Sequence, residues 1–84
     1  MNIALDYDDT YTADPDFWDV VIRLAINRGH DVTVVTKRFP EREIEGITIP
    51  IIYTSKTKKI DKMPAGTIWI DDQPLGIILN DEGF

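Results

Sequence analysis

Three aspartates follow the first apolar run of the chain, at Asp6, Asp8 and Asp9. An apolar run such as residues 3–5 that ends in turn-forming residues is typical of a buried strand, so these carboxylates are expected where a strand leaves the core. Residues two apart in an extended segment point the same way, which predicts that Asp6 and Asp8 face one site. At about 4 Å and an effective dielectric of about 20, two carboxylates repel by roughly 4 kcal/mol. A shared proton or a bound cation such as Mg²⁺ would relieve that repulsion.

The same segment has two other interpretations. It fits an acidic, solvated loop after a strand, because short motifs often occur without a function. It fits a calcium-binding EF-hand loop less well. Counted from Asp6, the sixth position is Tyr11 where that loop needs glycine, and the twelfth is Phe17 where it needs glutamate.

Polar groups also follow the other predicted strands. The β-branched run at residues 32–35 ends at Thr36, and the apolar run at residues 67–70 ends at Asp71 and Asp72. The carboxyl ends of parallel strands lie at one edge of a sheet, where α/β proteins bind their ligands. This shared placement favours a built site over a solvated loop.

The predicted site combines a metal with an anion. Asp6, Asp8 and Asp71 are predicted to meet around one Mg²⁺, while Thr36 offers a hydroxyl and a backbone N–H to an anion, and a lysine from residues 56–59 adds positive charge. A phosphate held opposite a metal is what phosphoryl transfer requires. The chain has no cysteine and a single serine, which favours an aspartate as the nucleophile.

Alternating strand and helix signals predict an α/β fold with a parallel sheet of four to five strands. Asp14 and Pro15 predict a helix start, and the helix is expected to end before Gly29 and to be largely buried. Residues 47–54 predict a third strand, which Pro50 restricts to an edge or to a start after the proline. A fifth strand is predicted at residues 75–79.

Two further helices are expected in the connections. A short one is predicted at residues 41–45, and a lysine-rich one is predicted from a cap at Ser55 to about Met63. Residues 80–84 are expected to form a loose tail.

The length of 84 residues predicts one domain over residues 1–84, and 43% hydrophobic residues suffice for a core. The absence of cysteine and the single histidine, His30, argue against a zinc site. A net charge of -6 disfavours non-specific binding to nucleic acid. The apolar runs are too short to cross a membrane and no signal-peptide pattern is present, so we expect a soluble, cytoplasmic protein.

The ordered set of motifs resembles the haloacid dehalogenase-like (HAD) phosphohydrolases. Their first motif is an apolar strand followed by DxDx(T/V), which residues 6–10 match in full. Their second motif is a Ser or Thr at the end of the next strand, matched by Thr36. Their fourth motif is an apolar strand ending in acids, matched by residues 68–72. The resemblance implies a three-layer, Rossmann-like fold over nearly the whole chain.

The resemblance also implies roles for the acidic residues. Asp6 would attack phosphorus and form an aspartyl-phosphate, and Asp8 would protonate the leaving group and then activate water. Mg²⁺ would be held by Asp6, the backbone carbonyl of Asp8, and Asp71. Asp72 would support the metal shell or orient Asp8, while Thr10 would fix the loop.

The third motif of the family is a loosely spaced lysine that would bind the phosphate with Thr36. Lys58 is the first choice, with Lys59 and Lys56 as alternatives. The connections are too short for a cap domain, which implies an open site for a bulky or terminal phosphate, or a site closed by a partner subunit in a homo-oligomer. The strand exit at residues 69–74 also resembles that of small HAD-like proteins from phage genomes.

Two competing functions have different sequence requirements. A response-regulator receiver domain needs an aspartate after its third strand, where this chain has Tyr53, Thr54 and Ser55, so we reject it. A reduced HAD-like module that binds a nucleotide or phosphorylated signal without turnover remains as the alternative to a hydrolase. The intact DxDxT sequence favours catalysis, since binding alone does not need both Asp6 and Asp8.

Overall fold

The computed structural model describes residues 1–81. Its regular elements alternate between strand and helix along the chain, as the sequence pattern predicts. In chain order they are β1 (Asn2–Leu5), α1 (Pro15–Asn27), β2 (Asp31–Thr36), β3 (Ile51–Tyr53), β4 (Ile68–Ile70) and α2 (Leu75–Ile78), with short 3-10 helices at Tyr11–Ala13 and Lys59–Lys62. The α/β class is therefore confirmed, with four strands in the described residues.

The four strands form one parallel sheet in the order β3-β2-β1-β4. Leu5 of β1 lies opposite Val34 of β2 and Ile70 of β4. The chain moves from β1 outward to β3 and then returns to the other side of β1. The strand order reverses beside the carboxyl end of β1, which is where open α/β sheets bind ligands.

The core lies along the two central strands. Leu5, Val34, Val35 and Thr36 are the largest fully buried side chains. Helix α1 begins as predicted, because Pro15 occupies its first turn and the Asp14 side chain accepts the N–H of Phe17. The pairing of β1 with β2 places the ends of both strands at the same edge of the sheet.

The prediction that α1 is largely buried is wrong. Phe17, Val20 and Leu24 are each more than half exposed, whereas Ala25 is the buried residue of the helix. The sequence places apolar side chains on several sides of α1, but a single narrow sheet covers only one stripe of a helix. The remaining apolar stripe therefore faces outward.

The third strand confirms both readings of Pro50, since β3 starts directly after the proline and lies at the sheet edge. Residues 41–45 form turns and irregular backbone instead of the predicted helix. In this segment Ile44 is buried, and its N–H donates to the Tyr53 hydroxyl at 2.9 Å.

The lysine-rich segment is not the continuous helix that was predicted. Ser55 and Lys56 have positive φ angles of 53° and 66°, which are incompatible with a cap at Ser55 followed by helix. Only the 3-10 helix Lys59–Lys62 forms. The shift from a capped helix to a tight loop determines which lysine reaches the sheet edge.

The predicted fifth strand is a short helix, α2. Turn hydrogen bonds from Gly76 to Gln73 and from Ile77 to Pro74 close this apolar run into a helical turn. Asn80 and Asp81 are anchored rather than loose, because Asn80 accepts the Lys58 N–H and Asp81 pairs with Lys37; the rest of the predicted tail lies outside the described residues. Within residues 1–81, no helix combines the length and apolar character needed to cross a bilayer.

Candidate active site

The strand ends meet around one cavity of about 140 Å³ at the carboxyl edge of the sheet. Asp6 follows β1 directly, and its N–H still donates to the Ile70 carbonyl at 2.9 Å, so the β1–β4 ladder fixes its backbone. Asp71 follows β4, and Thr36 ends β2. The cavity is lined by Asp6, Asp8, Thr36, Lys37, Lys59, Asp71, Asp72, Gln73, Gly76 and Asp81.

Lys59 lies between the two strand-end carboxylates. Its Nζ donates to Asp6 Oδ1 at 2.7 Å and to Asp71 Oδ2 at 2.6 Å. The side chains of Lys59, Asp71 and Asp6 are 3%, 4% and 11% exposed, so this is a buried ion triad. Charge-assisted hydrogen bonds of this length are the strong ones, and they hold Asp6 and Asp71 on one centre.

Lys58, the first choice from the sequence, is not the lysine of this cluster. Its side chain is 44% exposed and lies 3.6 Å from Asp61 on the surface. The tight loop at Ser55 and Lys56 sets the register so that Lys59, one of the two alternatives, points inward. Lys56 lines the neighbouring cavity instead.

The carboxylates that converge are Asp6, Asp71 and Asp72, whose oxygens can lie within 4.8 Å of one another. Asp72, which was expected to support the metal shell, belongs to this group, and the predicted metal role of Asp8 stays a prediction. Thr10 links two members. Its buried hydroxyl lies 3.1 Å from Asp6 Oδ2 and 3.0 Å from Asp72 Oδ1, and it accepts the Asp72 N–H. Thr10 thus fixes the site as well as the loop.

Burial raises the pKa of Asp6 from 3.8 to about 6, against the opposing effect of the Lys59 hydrogen bond. A hydrogen bond from the Asp6 carboxyl group lowers the pKa of Asp72 below its ordinary value. Below about pH 6, Asp6 and Asp72 therefore hold one proton between their adjacent carboxylates in the metal-free protein. The sequence argument expected a shared proton or a cation at Asp6 and Asp8, whereas the neighbouring acid here is Asp72.

Because the pKa of Asp6 is higher in the folded protein, its protonation stabilises the fold. This contribution is complete below about pH 3.8 and is lost as the pH rises through about 6. We therefore expect the urea midpoint of the metal-free wild-type protein to decrease as the pH rises from 4 to 6.5, when it is compared with the midpoint of the Asp6→Asn variant at each pH. The lowered pKa values of Asp8 and Asp72 act at more acidic pH, where stability falls as they protonate. A flat difference between the two proteins would contradict this shift.

Asp8 lines the cavity, but its carboxylate is held by Arg38. The guanidinium donates from Nε to Asp8 Oδ2 at 2.9 Å and from Nη2 to Asp8 Oδ1 at 2.7 Å. These hydrogen bonds lower the pKa of Asp8. Arg38 also lies over the Tyr7 ring, 5.0 Å from its centroid. Asp8 thus lies at the predicted cavity, but its carboxylate is paired with Arg38, which the DxDxT motif alone does not indicate.

Thr36 is buried in the wall of the cavity. It is 1% exposed at the end of β2, and its hydroxyl oxygen accepts the Arg38 backbone N–H at 3.2 Å. Its own hydroxyl hydrogen can then be donated into the cavity. Lys37, the next residue, turns toward the C-terminal segment, where it binds Asp81 and the Leu79 carbonyl.

Gln73, Gly76 and Asp81 line the cavity and were missed by sequence reasoning. Gln73 and Gly76 come shortly after Asp71 and Asp72 in the chain. A predicted loop at this point, instead of a predicted fifth strand, would have placed both residues near the cavity. No sequence signal marks Asp81.

A larger groove of about 430 Å³ lies between α1 and residues 46–49, but its charged lining consists of Asp19 and Arg23 and lacks the carboxylate cluster.

The donor set fits a hard divalent cation. Three carboxylates on one centre are ligands that Mg²⁺ accepts while it keeps several waters. Lys59 already neutralises part of their charge, and its ammonium lies between Asp6 and Asp71. A cation bound at this centre would be held by Asp6, Asp71 and Asp72.

Comparison with known proteins gives no independent assignment. No family model, no curated protein and no solved structure matches this chain.

Proposed function

We propose that this chain is a Mg²⁺-dependent phosphohydrolase of the HAD-like type, which acts on a phosphate ester or nucleotide through an aspartyl-phosphate. The main support is the convergence of Asp6, Asp71 and Lys59 on one buried centre beside Thr36. A buried ion triad is costly for a small fold, since well-packed apolar residues in place of the whole triad would often give equal stability. Its position at the reversal of strand order is that of a ligand site.

The proposed roles are those that the HAD resemblance implies for these positions. An Asp6 carboxylate oxygen attacks phosphorus as the ester P–O bond breaks, and Asp8 gives its proton to the leaving oxygen. Asp8 then takes a proton from water, whose oxygen attacks the aspartyl-phosphate, releases inorganic phosphate and restores Asp6. Thr36 and Lys59 hold the phosphoryl oxygens. Bound Mg²⁺ would neutralise charge on the phosphoryl group.

The Asp8–Arg38 pair favours a second candidate, a module that binds a phosphorylated ligand without turnover. An aspartate whose two oxygens accept from one guanidinium, and whose pKa is lowered, carries a proton in fewer molecules at neutral pH and is less available as a general acid. In a hydrolase, substrate binding must loosen this pair. In a binding module the pair stays closed.

A direct assay separates the two candidates. Purified protein should release inorganic phosphate from p-nitrophenyl phosphate or a nucleoside monophosphate in millimolar Mg²⁺, and EDTA should stop the release. Acid-quenched protein should carry a labile phosphoryl group on Asp6 during turnover, seen as a mass increase. Binding of a nucleotide by calorimetry with no phosphate release across a broad panel of esters would favour the binding module.

Mg²⁺ should raise the melting temperature of the protein by several degrees, because a ligand that binds only the folded state stabilises it. Asp71→Asn should lose most of this increase, since it removes one of the three converging carboxylates. Asp61→Asn is the matched control, because Asp61 is exposed and pairs only with Lys58 among the described residues. An equal increase in all three proteins would place the bound cation elsewhere.

A further inference from the structure

A second cavity of about 360 Å³ adjoins the carboxylate cavity. The two share Asp8, Lys37 and Asp81 in their walls. One ligand can therefore occupy both cavities at once. The lining of the second cavity is Asp8, Lys37, Arg38, Phe39, Arg42, Lys56 and Asp81.

The charge of the second cavity differs from that of the chain. Its lining carries four cationic side chains and two carboxylates, so it has an excess of two positive charges, whereas the whole chain has a net charge of -6. Positive charge concentrated in a cleft attracts and orients an anion. The composition of this cavity suits an anionic group beside the phosphate that reacts.

Arg42 is the cation best placed to bind an anionic group of the ligand. Lys37 pairs with Asp81, and Arg38 pairs with Asp8. Within residues 1–81 the Arg42 guanidinium forms no ion pair, although it acts on Asp8 through space and its backbone carbonyl accepts from Arg38 Nη1 at 3.3 Å. An arginine presents a planar fork of donors that matches a phosphate.

Phe39 supplies an apolar surface in the same cavity. Its side chain is 43% exposed, which leaves a ring available to a planar ligand group. Stacking of a base on an aromatic side chain contributes on the order of 1–3 kcal/mol and tolerates different bases. A ring beside a cationic cleft is the combination that a nucleotide with an extra phosphate would use.

We propose that the second cavity binds a second phosphate group of the substrate, and that the substrate class is a nucleoside bisphosphate. This inference rests on the proposed phosphohydrolase function and deepens it. The phosphomonoester that reacts lies against Asp6, Thr36 and Lys59. The second phosphate lies against Arg42 and Arg38, and the base lies against Phe39.

The binding of the second phosphate also bears on the Asp8–Arg38 pair. A phosphate that accepts from the Arg38 guanidinium competes with the Asp8 oxygens for the same Nε and Nη2 donors. A bisphosphate thus frees the Asp8 carboxylate in the adjoining cavity. A monophosphate that fills only the first cavity competes less for these donors, so it opens the pair in a smaller fraction of complexes and is hydrolysed more slowly.

The test compares matched substrates. The wild-type protein should have a kcat/KM for adenosine 3′,5′-bisphosphate at least tenfold above that for adenosine 5′-monophosphate in Mg²⁺. Arg42→Gln should reduce this ratio about tenfold, because a hydrogen bond to a charged group is lost. Arg23→Gln, the control, makes the same charge change on α1 and should leave the ratio unchanged. A sugar bisphosphate with a high ratio as well would assign recognition to the phosphate rather than to the base, which overturns the nucleoside class.

Binding separates this proposal from the proposed function. If no ester is hydrolysed, the phosphohydrolase assignment fails, but calorimetry with adenosine 3′,5′-bisphosphate still tests the cavity. Wild type and Arg23→Gln should then bind it about tenfold more tightly than Arg42→Gln. Equal affinity in all three proteins, or equal kcat/KM for the two adenosine substrates, would overturn the second phosphate site. Melting curves of each variant verify that it is folded.

Discussion

Replacing Asp6 by Asn should lower phosphate release by at least about a thousandfold, because an amide oxygen cannot serve as the nucleophile that forms the aspartyl-phosphate. The side chain keeps nearly the same volume, so the sheet and the Thr10 contact should persist. The measurement is the initial rate of phosphate release in Mg²⁺ from p-nitrophenyl phosphate, with the residual rate corrected for uncatalysed hydrolysis.

Asp9→Asn is the matched control for this substitution. It makes the same chemical change in the same loop, but Asp9 is exposed and does not line the cavity. Its φ angle of 64° suits asparagine at least as well as aspartate, so no strain is introduced. The control should keep its activity within about twofold. If Asp6→Asn retained the activity of Asp9→Asn, Asp6 would not be the nucleophile.

Replacing Lys59 by Met should destabilise the metal-free protein by about 3–5 kcal/mol, which is the typical cost of removing one partner from a buried ion pair. The change leaves Asp6 and Asp71 buried without their shared donor, while the methionine stem fills most of the same space. The free energy of unfolding, measured by urea titration in EDTA, gives the size of the loss. Since these carboxylates are proposed Mg²⁺ ligands, Mg²⁺ should restore part of it.

Lys58→Met provides the comparison, because it removes the same charge from the adjacent position. The Lys58–Asp61 pair is exposed, and exposed pairs contribute about 0–1 kcal/mol. The backbone N–H that binds Asn80 is unaffected by the substitution. A larger loss in Lys58→Met than in Lys59→Met would show that the buried lysine has been identified incorrectly.

The strands and the residues at their ends were predictable, because β-branched runs such as residues 32–35 are short, apolar and bounded by polar residues. The parallel arrangement then brings Asp6, Thr36 and Asp71 together without further information. The apolar run at residues 75–79 was misassigned since a short apolar run does not distinguish a strand from a helical turn.

The sequence could not identify the site lysine, because Lys56, Lys58 and Lys59 lie within four positions of one another. The identity of the site lysine depends on the positive φ angles of Ser55 and Lys56, which no residue type at these positions requires. The position of the Asp8 carboxylate outside the converging group of Asp6, Asp71 and Asp72 has a related cause. Period-two alternation holds only inside a strand, and β1 ends at Leu5, so side-chain direction beyond Asp6 is set by the turn and by Arg38.

The position of β4 has a consequence for how the protein loses its site. β4 spans only Ile68–Ile70 and has a single neighbour, β1, among the described strands. Short edge strands open locally at a lower free energy than the centre of a sheet. Warming should therefore detach Asp71 and Asp72 while β1 and β2 stay paired. Amide hydrogen exchange would then report faster exchange in β4 than in β2, and function would fade before the molecule unfolds.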